Sequence, residues 1–353
     1  MITLVLGGSG SGKSAYAEHL LDGKTNKYYI ATMQVYDAEG EKKVARHRRL
    51  RAGKGFVTIE QPRDIGEVDF SKRAQQAMEP PDRAGQNVTE RPRCALLECM
   101  SNLAANEMYR EDVGMESCAE LRAAQAGERI LRGLRLLAEA ARDLVVVTNE
   151  VFGDIKLTEE ETAAYQRLMG RLNRELFSIA GEVWEVVCGI PVQLKGRNRP
   201  SPDGSQNKKG EESLHMKFIT GGAFQGKRDF AEQLLAREDV LEYETADGAA
   251  DPFEAAYSRK LVVNVQDYVR RFAGLEDGEA RERLQEFLDR LIKENPGAVA
   301  VMDEIGCGIV PVGREERLWR DLAGEAAQPL AACSRDVYRV TGGLAQVLKG
   351  GER

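Results

Sequence analysis

The sequence predicts an α/β fold built on a mostly parallel sheet that occurs twice in the chain. Three observations support this: apolar strand-like runs alternate with amphipathic helical patterns, a phosphate-binding loop follows the first strand, and both features recur in the second half. A chain of 353 residues is long enough for about two domains. We therefore expect two related sheets, each covered by helices on both faces.

The first predicted strand ends in a complete phosphate-binding loop. Residues 7–14 (GGSGSGKS) fit G-x-x-x-x-G-K-[ST] and lead directly into an amphipathic helix. Glycines at these positions let successive backbone N–H groups converge on phosphate oxygens at the helix N-terminus. Lys13 would reach the β- and γ-phosphates of a nucleotide, and the Ser14 hydroxyl would ligate Mg²⁺.

Strands and helices then alternate along the first half. The predicted strands are Leu4–Leu6, Tyr28–Ala31, Ala95–Leu97, Leu144–Thr148 and Val183–Val187. The predicted helices span residues 14–22, 38–50, 101–110, 117–142 and 158–180. In such a sheet, a phosphate loop after the first strand places the site at the carboxyl ends of the strands.

Two polar segments interrupt this alternation. Residues 71–93 contain prolines and lack periodicity, which predicts a mobile surface insertion. Residues 197–213 have the composition of an interdomain linker. The predicted organisation is a catalytic domain over 1–196, the linker, and a second domain over 214–353.

The second domain is a degenerate copy of the first. Residues 221–228 (GGAFQGKR) repeat the phosphate loop, and residues 144–196 align without gaps on 298–350. Arg228 replaces the metal-binding hydroxyl, and Asn264 stands where the first copy predicts a glutamate. We expect the second loop to be a structural turn that has lost catalysis.

Composition restricts the class of protein. The net charge of −7 argues against general nucleic-acid binding. The six cysteines form no C-x-x-C pair, which indicates a reducing compartment. The N-terminus has no basic region, and its apolar run is only as long as a strand, so neither a signal peptide nor a membrane span is expected. We expect a cytoplasmic protein.

A basic segment surrounds one histidine. Residues 42–54 contain seven Lys or Arg residues and no acidic residue, with His47 among them. On a helix, Lys43, His47 and Arg51 would share a face. Neighbouring cationic side chains favour the neutral, nucleophilic form of the imidazole and supply positive charge for binding a triphosphate. By itself, however, the pattern favours a solvated basic helix with an incidental histidine.

Six motifs in order change that interpretation. They are residues 7–14 (GGSGSGKS), 29–34 (YIATMQ), 44–48 (VARHR), 58–60 (TIE), 96–99 (LLEC) with Asn106, and 147–150 (VTNE). Over about residues 1–195 the series resembles the bifunctional adenosylcobinamide kinase / adenosylcobinamide-phosphate guanylyltransferase family of cobalamin biosynthesis. The resemblance implies a RecA-like P-loop NTPase fold. It also implies ATP and GTP as substrates, Mg²⁺ as cofactor and adenosylcobinamide as the corrinoid substrate.

The resemblance implies two reactions and assigns residues to them. The first phosphorylates the aminopropanol hydroxyl of adenosylcobinamide. The second transfers GMP from GTP through a guanylyl-histidine, which gives adenosylcobinamide-GDP and pyrophosphate. His47 would accept GMP, Lys13 would act on the phosphates, and Ser14 and Glu98 would hold the metal. The nucleotide-binding residues would be Gly7, Gly8, Ser9, Gly10, Ser11, Gly12, Lys13, Ser14, Thr32, Met33, Gln34, Arg48, Arg49, Leu50, Arg51, Glu60 and Glu98.

Some points stay open at this level. A carboxylate can accept the guanine N1–H and N2–H pair or hold Mg²⁺, so Glu60 and Glu98 could divide these roles either way. The sequence also leaves open which triphosphate feeds the kinase step. Two alternatives are a small-molecule kinase in which His47 only binds phosphate, and a nucleotide-binding regulatory protein.

One departure from the family pattern involves the second domain. After Glu150 the family usually continues with G-x-G-I-V-P, whereas residues 151–157 here read VFGDIKL. The family version stands instead at Gly306–Pro311. In the family, sites lie near contacts between subunits, so we expect a homo-oligomer. Residues 216–350 could dock on the catalytic unit as a neighbouring subunit would. The alternative is a free-standing degenerate domain that is tethered by a flexible linker.

Overall fold

The computed structural model describes most of the chain. The described residues are 1–34, 40–41, 44–45, 48–49, 53–70, 93–110, 118–152, 159–196 and 216–351. The expected insertion, apart from Arg93, and the expected linker lie outside these residues. His47, Leu50 and Arg51 lie outside them as well.

The first unit contains a seven-stranded sheet in the order β3-β2-β4-β5-β1-β6-β7. Its strands are β1 (Ile2–Gly7), β2 (Lys27–Ala31), β3 (Phe56–Glu60), β4 (Cys94–Glu98), β5 (Asp143–Asn149), β6 (Glu182–Val187) and β7 (Ile190–Lys195). All neighbours pair in parallel except β6 and β7, which form an antiparallel hairpin. The five predicted strands are confirmed. The edge strands β3 and β7 were not predicted as strands, because each is a short run with exposed residues.

Helices cover both faces of this sheet. They are α1 (Lys13–His19), α2 (Met100–Met108), α3 (Ala119–Ala140) and α4 (Glu160–Ile179), and the described residues between 40 and 49 are also helical. Because side chains alternate along a strand, Leu4 packs towards α2–α4 whereas Val5 packs towards α1 and Trp184. No helix in the described ranges has the length and apolar character needed to cross a bilayer.

The second unit contains a six-stranded sheet in the order β13-β12-β8-β11-β10-β9. Its strands are β8 (Lys217–Gly221), β9 (Thr245–Asp247), β10 (Leu261–Val263), β11 (Val299–Asp303), β12 (Asp336–Thr341) and β13 (Leu344–Lys349). Its helices are α5 (Lys227–Arg237), α6 (Phe253–Ala256), α7 (Val265–Arg270), α8 (Asp277–Glu294) and α9 (Arg314–Cys333).

The two units repeat in register. Helix α9 begins and ends 154 positions after α4, since 314 − 160 and 333 − 179 both equal 154. The hairpin β12–β13 begins and ends at the same offset from β6–β7. The structure therefore confirms the gap-free alignment of 144–196 on 298–350. Within the described residues, the second sheet has no counterpart of β3.

The units also contact each other. Val187 and Cys188, at the end of β6, are buried in the hydrophobic core of the second unit. Arg339 of β12 donates to Glu185 across the boundary at 2.7 Å and to Glu304 of its own unit at 2.8 Å. Apolar burial and a half-buried ion pair thus join the two sheets.

Candidate active site

The phosphate loop joins β1 to α1 in the conformation that its glycines permit. Gly10 and Gly12 have φ values of +68° and +90°, which residues with a Cβ rarely adopt. The backbone N–H groups at the start of α1 consequently face the space where a nucleotide's phosphates would lie. The predicted motif therefore has the local geometry that its residues require.

Lys13 lies at the base of this loop and is buried. Its Nζ donates to the carbonyl oxygen of Gly8 at 3.0 Å, so its ammonium group is held inside the loop. Burial lowers the pKa of Lys13, Cys99 and Glu98 act in the opposite direction, and the guanidinium of Arg320 lowers it further. The buried positive charge of Lys13 is only partly balanced by nearby negative charge, so a bound phosphate would stabilise it.

Ser14 and Glu98 meet beside Lys13. The Ser14 hydroxyl donates to Glu98 Oε1, and the Tyr29 hydroxyl donates to Glu98 Oε2 at 2.8 Å. Glu98 ends β4, so the sheet brings its carboxylate to the first turn of α1. A hydroxyl and a carboxylate in contact provide the hard oxygen ligands that suit Mg²⁺.

Thr32 lies one step further along the sheet edge, after β2. Its Oγ1 accepts from the Cys99 backbone N–H at 2.7 Å and donates to the Cys99 carbonyl at 2.8 Å. Asn106 donates to the Thr32 carbonyl at 2.8 Å. Thr32 is thus buried and ties β2 to β4, while Met33 and Gln34 are partly exposed beside it.

A second group of candidate residues lies at the far edge of the sheet. Glu60 ends β3, and its exposed carboxylate accepts from Arg48. Arg49 is also exposed, and its Nε donates to the Ala45 carbonyl. Four strand spacings of roughly 4.8 Å separate β3 from β1, so this group lies about 19 Å from the phosphate loop. The candidates therefore form two groups along one edge.

The second unit lies directly against the phosphate loop. The Ser9 N–H donates to the Gly306 carbonyl at 2.9 Å, and the Ser9 hydroxyl donates to Asp321 at 3.1 Å. Gln328 donates to the Gly10 carbonyl at 2.7 Å. Helix α9 and the segment after β11 therefore contact the loop, as expected for a docked second unit.

Arg320 holds that segment in place. Its guanidinium is buried and donates to the carbonyl oxygens of Gly306 and Gly308 at 2.9 and 2.8 Å. The Gly306–Pro311 segment, which the first unit lacks in sequence, thereby reaches the loop of the first unit. Sequence reasoning did not identify Arg320. The glycine-rich segment was the available signal, but nothing in the sequence linked it to α9.

A small cavity of about 40 Å³ lies at this boundary. Four carboxylates line it, from Glu150, Glu185, Asp303 and Glu304, together with the guanidinium of Arg339. Burial raises the pKa of Glu150, and the neighbouring carboxylates of Glu185 and Glu304 raise it further, whereas Arg339 lowers it. The boundary is therefore polar and carries excess negative charge.

The second phosphate loop keeps its shape but has different contacts. Gly226 has φ +88°, close to the value at Gly12. Lys227 forms an ion pair with Asp303 at 2.6 Å, Arg228 pairs with Glu232 at 3.0 Å, and Asn264 donates to Asp247 at 2.9 Å. The position of Ser14 has thus become a surface ion pair, and the lysine is already neutralised.

Groups of three or more His, Cys, Asp or Glu side chains that could hold a metal do not occur among the described residues. The Ser14–Glu98 pair is compatible with this result, because Mg²⁺ usually binds one or two carboxylates together with substrate phosphates and water.

Comparison with known sequences decides the family. A sequence model of the cobinamide kinase / cobinamide phosphate guanyltransferase family matches residues 3–194 and again 257–348. The chain belongs to this family. The family pattern therefore matches nearly all of the first unit and residues 257–348 of the second.

Curated relatives agree with that assignment. The bifunctional adenosylcobalamin biosynthesis protein CobU of Escherichia coli (strain K12) is 31% identical over 200 residues, which is 55% of this chain and 100% of that protein. CobP of Pseudomonas aeruginosa is 27% identical over 197 residues, 56% of this chain and 98% of that protein. Each relative therefore spans about one unit of the present chain.

Solved structures show weaker similarity. The flagellar accessory protein FlaH from Methanocaldococcus jannaschii is 14% identical with a TM-score of 0.25, over 55% of this chain and 78% of that one. The RadB recombinase is 16% identical with a TM-score of 0.24, over 57% and 83%. The P-loop fold rests on the strand order and loop described above.

Proposed function

We propose that this member of the cobinamide kinase / guanylyltransferase family phosphorylates adenosylcobinamide and then transfers GMP from GTP to the product. Both reactions would take place on the first unit. The observation that carries the proposal is the order of candidate residues along one sheet edge, from the phosphate loop after β1, through Glu98 on β4 and residues 32–34 after β2, to Glu60 on β3.

That order divides the roles of the two glutamates. Glu98 contacts Ser14, so it would hold Mg²⁺ with the Ser14 hydroxyl beside the β- and γ-phosphates. Glu60 is exposed at the far edge, away from the phosphate loop. Its carboxylate, which pairs with Arg48, could accept the guanine N1–H and N2–H pair. The sheet thus supports a nucleotide lying along its carboxyl edge, with triphosphate and base at opposite ends.

The kinase step requires positioning and charge neutralisation. The aminopropanol hydroxyl of adenosylcobinamide would attack the γ-phosphorus of the triphosphate, and the bond from that phosphorus to the β–γ bridging oxygen would break. Lys13 and the loop N–H groups would stabilise the charge that develops on the phosphate oxygens. When bound, Mg²⁺ supplies further positive charge at this place.

The second step would use His47 as the nucleophile. Its neutral imidazole would attack the α-phosphorus of GTP, and pyrophosphate would leave with its charge held by Lys13. A phosphate oxygen of adenosylcobinamide phosphate would then displace the imidazole from the GMP group and regenerate His47. Arg48, next to His47 in sequence, pairs with Glu60 at the far edge and would orient that carboxylate towards the guanine.

The second unit would act as a wall of the site. Its α9 and the Gly306–Pro311 segment contact Ser9 and Gly10 of the loop. A rigid contact there would fix the loop before the nucleotide arrives. Because Lys227 is neutralised by Asp303, the second unit itself would neither bind nor transfer nucleotides.

One experiment separates this function from its alternatives. The purified protein is incubated with adenosylcobinamide, Mg²⁺ and labelled GTP or ATP, products are identified by mass, and the denatured protein is assayed for retained GMP. Adenosylcobinamide-GDP together with GMP on the protein, both lost in His47→Ala while phosphorylation continues, is the expected result. Phosphorylated corrinoid without GMP transfer would identify a kinase only. Nucleotide binding without any corrinoid product would identify a regulatory protein.

A further inference from the structure

Asn149 ends β5, directly beside the phosphate loop. In the sheet it is the partner of Gly7, the first residue of that loop. Val145 and Val147 pack towards α1, and because side chains alternate along a strand, the side chain of Asn149 lies on the same side. Its amide is therefore on the side of the sheet where the lysine and the serine of the loop begin α1.

The second unit shows what a side chain at this position can reach. Asp303 corresponds to Asn149 in the repeat, and each of the two pairs with the first glycine of its own phosphate loop. The Oδ1 of Asp303 lies 2.6 Å from the Nζ of Lys227. Lys13 and Lys227 both donate to the carbonyl oxygen five positions before them, so the two lysines are placed alike. Asn149 therefore faces Lys13.

One end of the Asn149 amide is held and the other end is not. Its Nδ2 donates at 2.8 Å to the Oγ of Ser101, which is buried in the first turn of α2 and lies 3.0 Å from Cys99 Sγ. Its Oδ1 is buried and has no hydrogen-bond partner in the part of the chain that the structure describes. Exchanging the two ends would turn the NH₂ group towards the Lys13 ammonium, so charge favours this orientation. A buried carbonyl oxygen without a donor is unfavourable, and a ligand that donates to it would be stabilised.

The chemistry of the kinase step restricts what that ligand can be. The triphosphate is excluded, because its oxygens are acceptors and would repel Oδ1. Two donors come close to the γ-phosphate: the alcohol that attacks it and water on Mg²⁺. Metal-bound water can donate to the phosphates and to Glu98, which are charged and therefore stronger acceptors. The attacking hydroxyl has a single proton, and an acceptor is needed that turns its lone pair towards phosphorus.

We propose that Asn149 Oδ1 accepts a hydrogen bond from the substrate hydroxyl that is phosphorylated, and thereby orients its oxygen towards the γ-phosphorus. This role rests on the proposed function of the first unit. In the transfer, the hydroxyl oxygen bonds to the γ-phosphorus, and the bond to the β–γ bridging oxygen breaks with its electron pair on the nucleoside diphosphate. The amide takes up no proton, so the hydroxyl proton passes to an oxygen of the transferred phosphate.

The kinetics of Asn149→Ala test this role. Phosphorylation of adenosylcobinamide should lose about 10²-fold in kcat, because the hydroxyl is no longer aligned, whereas KM for the triphosphate should change less than about threefold. GMP transfer to adenosylcobinamide phosphate supplied directly should keep its rate, because this hydroxyl takes no part in it. Thr148→Val is the matched control. It removes the hydrogen bond to Asn173 on the opposite face of β5 and should leave both rates unchanged.

The other outcomes of this experiment would overturn the proposal. An unchanged kcat in Asn149→Ala would show that the amide does not align the hydroxyl. A kcat that recovers at high Mg²⁺ concentration would identify metal-bound water as the donor. An equal loss of GMP transfer would indicate a structural role. If the unaltered protein does not phosphorylate adenosylcobinamide, the proposed function fails, and this inference fails with it.

Nucleotide binding by Asn149→Asp provides a second measurement that needs no corrinoid. The new carboxylate should pair with Lys13 as Asp303 pairs with Lys227, and should weaken binding of a non-hydrolysable ATP or GTP analogue roughly tenfold. Asn149→Ala should bind the analogue as the unaltered protein does, which also shows that the variant is folded. Unchanged affinity in Asn149→Asp would show that this side chain does not face Lys13, and would overturn the geometry on which the proposal depends.

Discussion

The two phosphate loops of this chain have nearly the same backbone and opposite electrostatics. In the first, Lys13 donates to a loop carbonyl, and Ser14 contacts Glu98. In the second, Lys227 also donates to a loop carbonyl but is paired with Asp303 at 2.6 Å. The shape of a phosphate loop is therefore preserved by its glycines independently of its ability to bind phosphate.

The residue that neutralises Lys227 illustrates how such a site is lost. Asp303 stands at the end of β11, and the same position at the end of β5 is Asn149. The Asp303 carboxylate balances the charge of Lys227 within the folded unit. A phosphate could bind Lys227 only by displacing this carboxylate, which would cost electrostatic energy. The first unit keeps a neutral amide and leaves the lysine available.

The largest expected effect on activity is that of removing Lys13, with Lys227 as the matched residue of the second loop. Lys13→Ala should reduce both phosphorylation and GMP transfer about 10³-fold, because it removes the charge that faces the phosphates in either reaction. The matched variant Lys227→Ala should change either rate less than a few-fold. It should instead lower the thermal stability, since Asp303 loses its partner at a cost of roughly 3 kcal/mol. Similar losses of activity from both changes would mean that the second loop is a working site.

The proposed roles of Glu98 in metal binding and of Glu60 in guanine binding predict the next largest effect. Glu98→Gln should raise the Mg²⁺ concentration needed for half-maximal phosphorylation at least tenfold, because a neutral amide is a weaker ligand than a carboxylate. Glu60→Gln should raise KM for GTP and leave the Mg²⁺ requirement unchanged. Titration of Mg²⁺ at saturating nucleotide measures both, and the reverse pattern would exchange the two roles.

The contact between the units predicts a moderate effect. In Gly324→Ala the new methyl group would press on Gly10, which should shift the loop and reduce phosphorylation about tenfold, chiefly through KM for the triphosphate. Alanine favours a helix over glycine by about 1 kcal/mol, so a loss cannot come from weakening α9. Gly278→Ala, in α8 with open space around it, is the control. Unchanged kinetics in Gly324→Ala would show that the second unit does not position the loop.

The carboxylates at the boundary predict the smallest effect. Burial raises the pKa of Glu150, so the folded protein holds its proton more tightly than the unfolded chain does, and the native state loses stability as the pH rises through that raised pKa. Glu150→Gln should therefore raise Tm at pH 7, on the order of 1 °C. The gain should disappear as the pH falls below the ordinary value of 4.5. A constant difference between the two proteins across this range would contradict the assignment.

The sequence by itself determined the parallel-sheet fold, its duplication and the first phosphate loop. These features follow from local patterns: buried strands are continuous apolar runs, helices repeat every 3.6 residues, and a phosphate loop is a contiguous motif. The in-register repeat also fixed in advance which residues of the second unit had changed, among them Arg228 and Asn264.

The tertiary structure decided which distant residues meet. Strand order placed Glu98 beside Ser14, and it placed Glu60 on β3, four strand spacings from β1. Strand order is set by packing across the whole sheet. Docking of the second unit brought Gly306 to Ser9, a contact between residues almost 300 positions apart that no local pattern encodes. The Lys227–Asp303 ion pair and the contact of the second unit with the first phosphate loop both depend on such long-range contacts.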